Sequence, residues 1–399
     1  MYKLTHFFRL YPKSIWWLTF IEIIFISRKT IFRVNRDVGD YSATVDSSTS
    51  LALFGIFISL IYIFNKRNEI KHIHKIMGGL LIFYYFSALS FIWAGNVFTI
   101  LFKATEVLIN IYIVGLIIIN LLRHVNIKGI TYYIIIFCLI STYCEVFIEM
   151  VHKGFGFHHT NAYSFTAMIS LLLCFGSIKY RIFKLKEIKW CLILSLMAVI
   201  GGTSTATYIS CIIGFLILYS SNKKGINIYR SLVIVFICYL SYYFFFDVIY
   251  DFIAAGHTED EMKSLTGRNV IWEASMLSFS KHPILGAGFV VGERNLGNLS
   301  IIYNFHQLSA HNSFLSALVN TGIIGFLLFV FFLKNWLVKL YTHTKHFVWA
   351  SILFPIAIAI IVNCNSCPGI GSDWGHVSSC IYIIIGFSSP NIFKLIRNH

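Results

Sequence analysis

Charge is scarce in this sequence. Asp, Glu, Lys and Arg together make up 12% of its 399 residues, against roughly a quarter in soluble domains, so an ordinary soluble enzyme is excluded. Linkers and low-complexity tracts are also missing, and no internal repeat stands out, which argues against a string of modules or a solenoid. The first apolar run lacks a small-residue cleavage site and is followed by Ser27-Arg28-Lys29. It reads as a retained helix rather than a removable signal peptide, with the mature chain expected to start near Met1.

What remains is apolar. Hydrophobic residues make up 57% of the chain and mean hydropathy is +0.74, values of a polytopic membrane protein. Apolar stretches of about 17 to 22 residues, enough for a helix to cross a bilayer core of roughly 30 Å, recur from end to end. Twelve spans are expected, at 14–27, 48–65, 76–95, 104–122, 130–150, 160–178, 188–203, 205–221, 230–249, 311–333, 347–363 and 376–393. The fold class is therefore all-α: about twelve transmembrane helices in one integral membrane domain. Residues 1–249 hold the first nine and 311–399 the last three, with 250–310 as one large outer loop containing short helices.

The formal charge of +15 does not point to nucleic acid. Most Lys and Arg residues gather in alternate short loops such as "NKRNEIKHIHK" and "KYRIFKLKEIK", the positive-inside pattern, which puts both termini in the cytoplasm. One loop dissents: Arg28, Lys29, Arg33 and Arg36 fall on the outer side of a twelve-span topology. The close pair Cys364 and Cys367 lacks the second ligand pair of a zinc site.

The long outer loop is built to fold. Thr258 and Glu261 form a capping box. A second helix is expected from Arg268 to Ser280, with a largely apolar surface and a stop at Pro283, Gly286 and Gly288. The loop carries more acids than bases, so an anion there would be held by particular arginines rather than by a basic field. At the loop's end, "SAHNSFLSALVNTGIIG" sets His311 and Asn312 just outside an apolar run with Gly322 and Gly325. At about 100° per residue, His311, Gly322 and Gly325 share one face to within roughly 40°, with Leu315 and Leu318 between them, and a neighbouring helix could approach closely there. By spacing alone the His-Asn pair fits a helix cap or interfacial anchor as well as a catalytic group.

These residues resemble the O-antigen polymerase and O-antigen ligase superfamily, polytopic bacterial enzymes that join lipid-linked glycans on the outer side of the inner membrane. The ligase pattern of His, a polar residue, nine residues, Gly, two residues and Gly is met by His311, Asn312, Gly322 and Gly325. "GRNVIWEASMLSFSKHPILGAG" resembles the family's arginine-bearing outer-loop helix and its Pro…Gly-x-Gly turn, matching at Arg268, Trp272, Pro283, Gly286 and Gly288. "GFGFHHTNAYSF" resembles the entrance to the sixth helix, with Asn161 at the polar position. There is one departure. Where many members carry an arginine between the seventh and eighth helices, "GGTSTATY" has Thr205 or Ala206, which weighs more against a ligase than against a polymerase.

The resemblance implies that an acceptor hydroxyl attacks the anomeric carbon of a glycan on undecaprenyl diphosphate. A base and a clamp for the departing diphosphate are needed. His311 suits the first role and Arg268 the second. Arg294 is the local candidate for a second cation, its bland alternative being an ion pair with Glu293. Asn312, Asn161, His159 and Trp272 are candidate substrate contacts, against capping for the polar three and interfacial anchoring for the tryptophan. Two adjacent histidines, His158 and His159, also raise a metal reading, but neighbours in sequence rarely converge on one ion. No metal and no other cofactor is called for. Partners expected are the undecaprenyl-diphosphate-linked oligosaccharide, membrane lipids, a chain-length regulator and a flippase. The rivals are a ligase onto lipid A core and a twelve-helix transporter. The transporter reading suffers because the membrane charges Glu22, Glu106, Glu145, Glu149 and Asp247 lie mostly toward helix ends, with the polar residues concentrated in one outer loop.

Overall fold

A computed structural model describes residues 11–32, 47–157, 161–221, 268–293, 309–371 and 375–392, with residues 226, 229 and 233. Among the described residues every regular element is helical. The elements are α1 (Lys13–Phe32), α2 (Ser47–Asn65), α3 (Ile70–Leu89), α4 (Val97–His124), α5 (Ile127–Lys153), α6 (Asn161–Lys179), α7 (Leu185–Gly201), α8 (Thr205–Ser220), α9 (Arg268–Lys281), α10 (Ser313–His343), α11 (Val348–Asn363) and α12 (Gly375–Phe387). Single 3-10 turns flank α3, at Arg67–Glu69 and Ser90–Ile92.

Eleven of the expected apolar segments coincide with these helices; the other, 230–249, lies outside the described residues except for Val233. Five helical stretches are long and apolar enough to cross a bilayer: Arg67–Ile92, Val97–His124, Ile127–Val151, Asn161–Lys179 and Ser313–His343. Four shorter apolar helices accompany them. The expected outer-loop helix is present as α9, whereas the Thr258–Glu261 capping box and the basic stretch 33–46 fall outside the described residues.

The chain divides into two compact units. The first holds Met1–Ile130, Val270–Lys334 and Pro368–His399, and the second Thr131–Asn269 and Asn335–Cys367. In the first unit α4 is the axis, and α1, α2, α3 and α12 all pack on it. Its Ile111, Val114, Ile117, Ile118 and Leu121 are fully buried. Close approach is possible because glycines line the contacts: a Cβ on Gly115 would lie 2.8 Å from Ile73 of α3, and one on Gly386 would run into Ile118. Asn96 caps the start of α4 by accepting from the Thr99 amide. At its end Arg123 donates two bonds of 2.7 Å to Glu69, placing a cation on the negative end of the helix dipole.

In the second unit α6 is the axis, packed by α7, α8 and α11. Hydroxyls bind its neighbours: Ser170 meets Ser195 of α7 at 2.7 Å and Thr166 meets Thr142 of α5 at 2.8 Å. In a bilayer, where apolar contact gives helices little reason to associate, such small and hydroxyl-bearing contacts supply the cohesion. Large side chains on the outside, including Phe54, Phe57 and Phe64 of α2, are exposed and apolar, as a lipid-facing surface requires.

One element departs from regularity in a way that matters for function. Helix α10 is broken at Gly322, whose φ is 64° and ψ −168°. A regular helix would bond the amides of residues 323 and 324 to the carbonyls of 319 and 320. Instead the turn 283–288 enters the gap. Ile323 and Ile324 donate to the carbonyls of Pro283 and Ile284 at 2.9 and 3.3 Å, and Ala287 and Gly288 donate to the carbonyls of Val319 and Asn320 at 3.1 and 3.0 Å. All four groups released by the break are satisfied, as apolar surroundings demand.

Two glycines make this contact possible. Gly286 has φ 73°, and a Cβ there would collide with the Gly322 nitrogen; a Cβ on Gly322 would collide with the Ile284 carbonyl oxygen. Backbone atoms cannot move aside as a flexible side chain can. Gly286→Ala and Gly322→Ala are each expected to destabilise the protein by at least about 1–3 kcal/mol from strain alone. Thermal unfolding in detergent measures this, and a melting temperature equal to wild type for both would contradict the inserted turn.

Candidate functional site

The site is built where the inserted turn leads back to the mouth of α10. Residues 309–312 are not helical, and His311 has φ 47°, the left-handed region that a side chain with a Cβ enters only when its surroundings hold it there. Asn312 is the N-cap: its carboxamide oxygen accepts from the amides of Phe314 and Leu315 at 2.9 and 3.2 Å. The capping function expected for such a residue therefore accounts for that oxygen. His311 is half-buried, and its own amide donates to the Ser309 hydroxyl at 3.2 Å.

Helix α9 supports this corner. The Trp272 indole donates from Nε1 to the Ala310 carbonyl at 3.2 Å, so its polar edge holds the residue just before His311. Ala274 and Ala310, both fully buried, pack together with Leu315. After α9 the turn is anchored on another side as well: the Phe289 amide donates to Ser90 Oγ at 2.9 Å, and a Cβ on Gly288 would lie 2.5 Å from Ala94. Beyond the cap, Ser313 Oγ accepts from the Gly369 amide at 2.9 Å, and the Gly371 amide donates to the Tyr84 hydroxyl at 3.0 Å.

A residue that sequence reasoning treated only as a partner for Arg294 proves central. Glu293 is 6% exposed. Its Oε1 accepts from Ser316 Oγ at 2.6 Å, the Ala310 amide at 3.2 Å and Ser309 Oγ at 3.3 Å, while Oε2 accepts from Asn320 Nδ2 at 3.2 Å. The Glu293 amide in turn donates to Asn320 Oδ1 at 3.1 Å. A buried carboxylate is tolerable only with its lone pairs filled, and here four donors fill them. The sequence did hold a signal: Asn320 lies inside an apolar helix, where an amide without a partner is costly.

The structure brings Pro283, Gly286, Gly288 and Gly322 into one backbone contact, with His311, Asn312 and Trp272 at the adjoining corner. The expectation that His311, Gly322 and Gly325 line one face of a continuous helix is overturned. The break at Gly322 interrupts the rotation, and His311 precedes the helix in a left-handed turn. Gly325 alone keeps the expected character, since a Cβ on it would come within 2.9 Å of Phe86 of α3. Arg268 opens α9; its side chain, Arg294 and His159 lie outside what is described.

Asn161 belongs to a separate polar cluster in the second unit. It opens α6, and its Oδ1 accepts from Ser204 Oγ at 2.6 Å. Ser204 caps α8, and Thr207, which donates to it, accepts from Asn363 Nδ2 at 3.1 Å. The turn where an arginine was absent is thus a hydroxyl-based cap. Among the described residues no group of three or more metal-type side chains occurs.

Five helices long and apolar enough to cross a bilayer mark a multi-pass membrane protein, and within its first unit a left-handed histidine stands just outside a broken helix, in a corner built on backbone and hydroxyl contacts. Residues 190–330 match the family model described as O-antigen ligase, which supports membership of the O-antigen polymerase and ligase superfamily. The match runs from α7 through α9 and the inserted turn to the first half of α10. Comparison with curated proteins finds none that matches.

Replacing Asn312 by alanine removes the α10 cap and should cost about 1 kcal/mol, whereas Asn312→Ser should cost far less. Thermal unfolding separates the two variants, and equal melting temperatures for Asn312→Ala and wild type would show that the cap is not formed.

Proposed function

We propose that the chain is a polymerase of O-antigen or a related surface polysaccharide in the bacterial inner membrane. In this reading it has twelve crossings, cytoplasmic termini, and residues 250–310 on the periplasmic side. It transfers a glycan from undecaprenyl diphosphate to a sugar of another lipid-linked repeat unit. The observation that carries this is His311, held left-handed at the mouth of α10 inside the stretch that matches the O-antigen ligase family.

His311 acts as general base. The acceptor hydroxyl gives its proton to an imidazole nitrogen while its oxygen bonds the anomeric carbon, and the bond from that carbon to the diphosphate breaks with the electron pair leaving on phosphate oxygen. Arg268, one helical turn ahead of Trp272 on α9, stabilises the charge that grows on the diphosphate, with Arg294 as the second cation. No metal is required, because the diphosphate is already a good leaving group. Asn161, His159 and Asn312 are assigned to sugar contact, Asn312 through the carboxamide nitrogen left free by its capping oxygen and Asn161 through the part of its carboxamide not bound to Ser204. A chain-length regulator and a flippase are the protein partners.

The matched family description favours a second reading, an O-antigen ligase that moves finished glycan onto lipid A core. Thr205 and Ala206, where the resemblance led one to expect an arginine, favour the polymerase. A deletion strain discriminates: loss of a polymerase leaves core bearing a single repeat, and loss of a ligase leaves bare core.

Changing His311 to alanine should abolish chain extension, leaving a single repeat on electrophoresis, while the protein still accumulates in the membrane. A full polymer ladder from that strain would refute the role of the histidine.

A further inference from the structure

Glu293 reaches both sides of His311 with one carboxylate. Through Oε1 it holds Ser309 and Ala310, the two residues before the histidine, and Ser316, which lies after it in α10; through Oε2 it holds Asn320 one turn further on. The backbone between these anchors includes the left-handed His311. A glutamine could not replace the carboxylate, because its amide has one acceptor oxygen and would turn an NH2 group toward the Nδ2 of Asn320.

We propose that Glu293 is a positioning residue: with Asn320 it forms a buried clamp that fixes the His311 turn, and so the imidazole, at the geometry proton transfer requires. The proposal rests on the reading of His311 as the general base. Glu293 and Asn320 are buried, 6% and 0% exposed, so the clamp acts through the turn and not by direct contact with substrate. Its loss should slow the chemical step and leave substrate binding as it was, because a base displaced by a fraction of an ångström loses rate rather than affinity for the lipid-linked unit.

The bonding also prescribes its own repair. In Glu293→Gln the substituted side chain and Asn320 present two amide nitrogens to each other. In Glu293→Gln combined with Asn320→Asp, the side-chain amide at position 293 donates to a carboxylate at position 320, and the backbone amide of position 293 still finds an acceptor there. One carboxylate and one carboxamide are present again, with their positions exchanged.

The test uses the full chain in membrane vesicles, with the lipid-linked repeat unit that accumulates in the deletion strain as substrate. Glu293→Gln is expected to lower kcat by about tenfold to a hundredfold with little change in KM, and adding Asn320→Asp is expected to recover most of the rate. His311→Ala is assayed beside them. If His311→Ala is dead while Glu293→Gln turns over at the wild-type rate, the clamp is overturned and the general base stands. A Glu293→Gln defect that the double variant does not recover, at equal protein in the membrane, also overturns it. Full activity in His311→Ala overturns the underlying reading and the clamp together. Should Glu293→Gln fail to accumulate, Asn320→Ala is read in the same assay: a kcat loss at unchanged KM supports the clamp, and any other outcome overturns it.

Discussion

Four backbone hydrogen bonds between a loop turn and a broken helix hold the rest of this site in place. At Gly322 the helix α10 gives up two of its own rungs, and the turn 283–288 replaces both, amide for amide and carbonyl for carbonyl. In apolar surroundings an unfilled gap would leave four polar groups without partners at several kcal/mol each by an order-of-magnitude reckoning. The turn is therefore bound to its register. A shift by one residue would misalign the four bonds and drive Gly286 or Gly322 against backbone. Because Glu293 follows the turn by only five residues, its register also sets where the buried carboxylate meets Ala310, Ser316 and Asn320. The position of His311 is inherited from this chain of contacts, which begins with two glycines.

The helices themselves were open to reading from the sequence. Hydropathy fixes a length scale, and segments such as 48–65 and 205–221 fall on α2 and α8 to within a residue. The outer-loop helix was recognisable by its apolar surface and its Pro-Gly stop, and α9 ends at Lys281 just before Pro283. Helix ends near membrane surfaces were less legible, since polar continuations such as Lys334–His343 carry no hydropathy signal yet extend α10 well beyond its apolar run.

The break at Gly322 was not visible. A glycine in an apolar run is compatible with an unbroken membrane helix, and rotation by about 100° per residue then gives a false neighbourhood for His311. Only the partner turn, more than thirty residues earlier in the chain, makes the broken form favourable. Glu293 was missed for a related reason. In a loop rich in acids it reads as one more solvated charge, and its donors come from residues 309, 310, 316 and 320, which no local pattern groups together. His311 and Trp272 were legible as candidates through resemblance, but the bond from the Trp272 indole to Ala310 belongs to the fold alone.

The order of the two partners along the chain bears on biosynthesis. The 283–288 turn is translated before Gly322, so the filler precedes the gap in the order of synthesis. A protein with the opposite order would have to hold an open helix in the bilayer while waiting for its plug. Here the segment that fills α10 is synthesised ahead of the helix it completes, so both partners of the four bonds are present as soon as α10 is made. In this protein the directionality of synthesis acts as an assembly instruction.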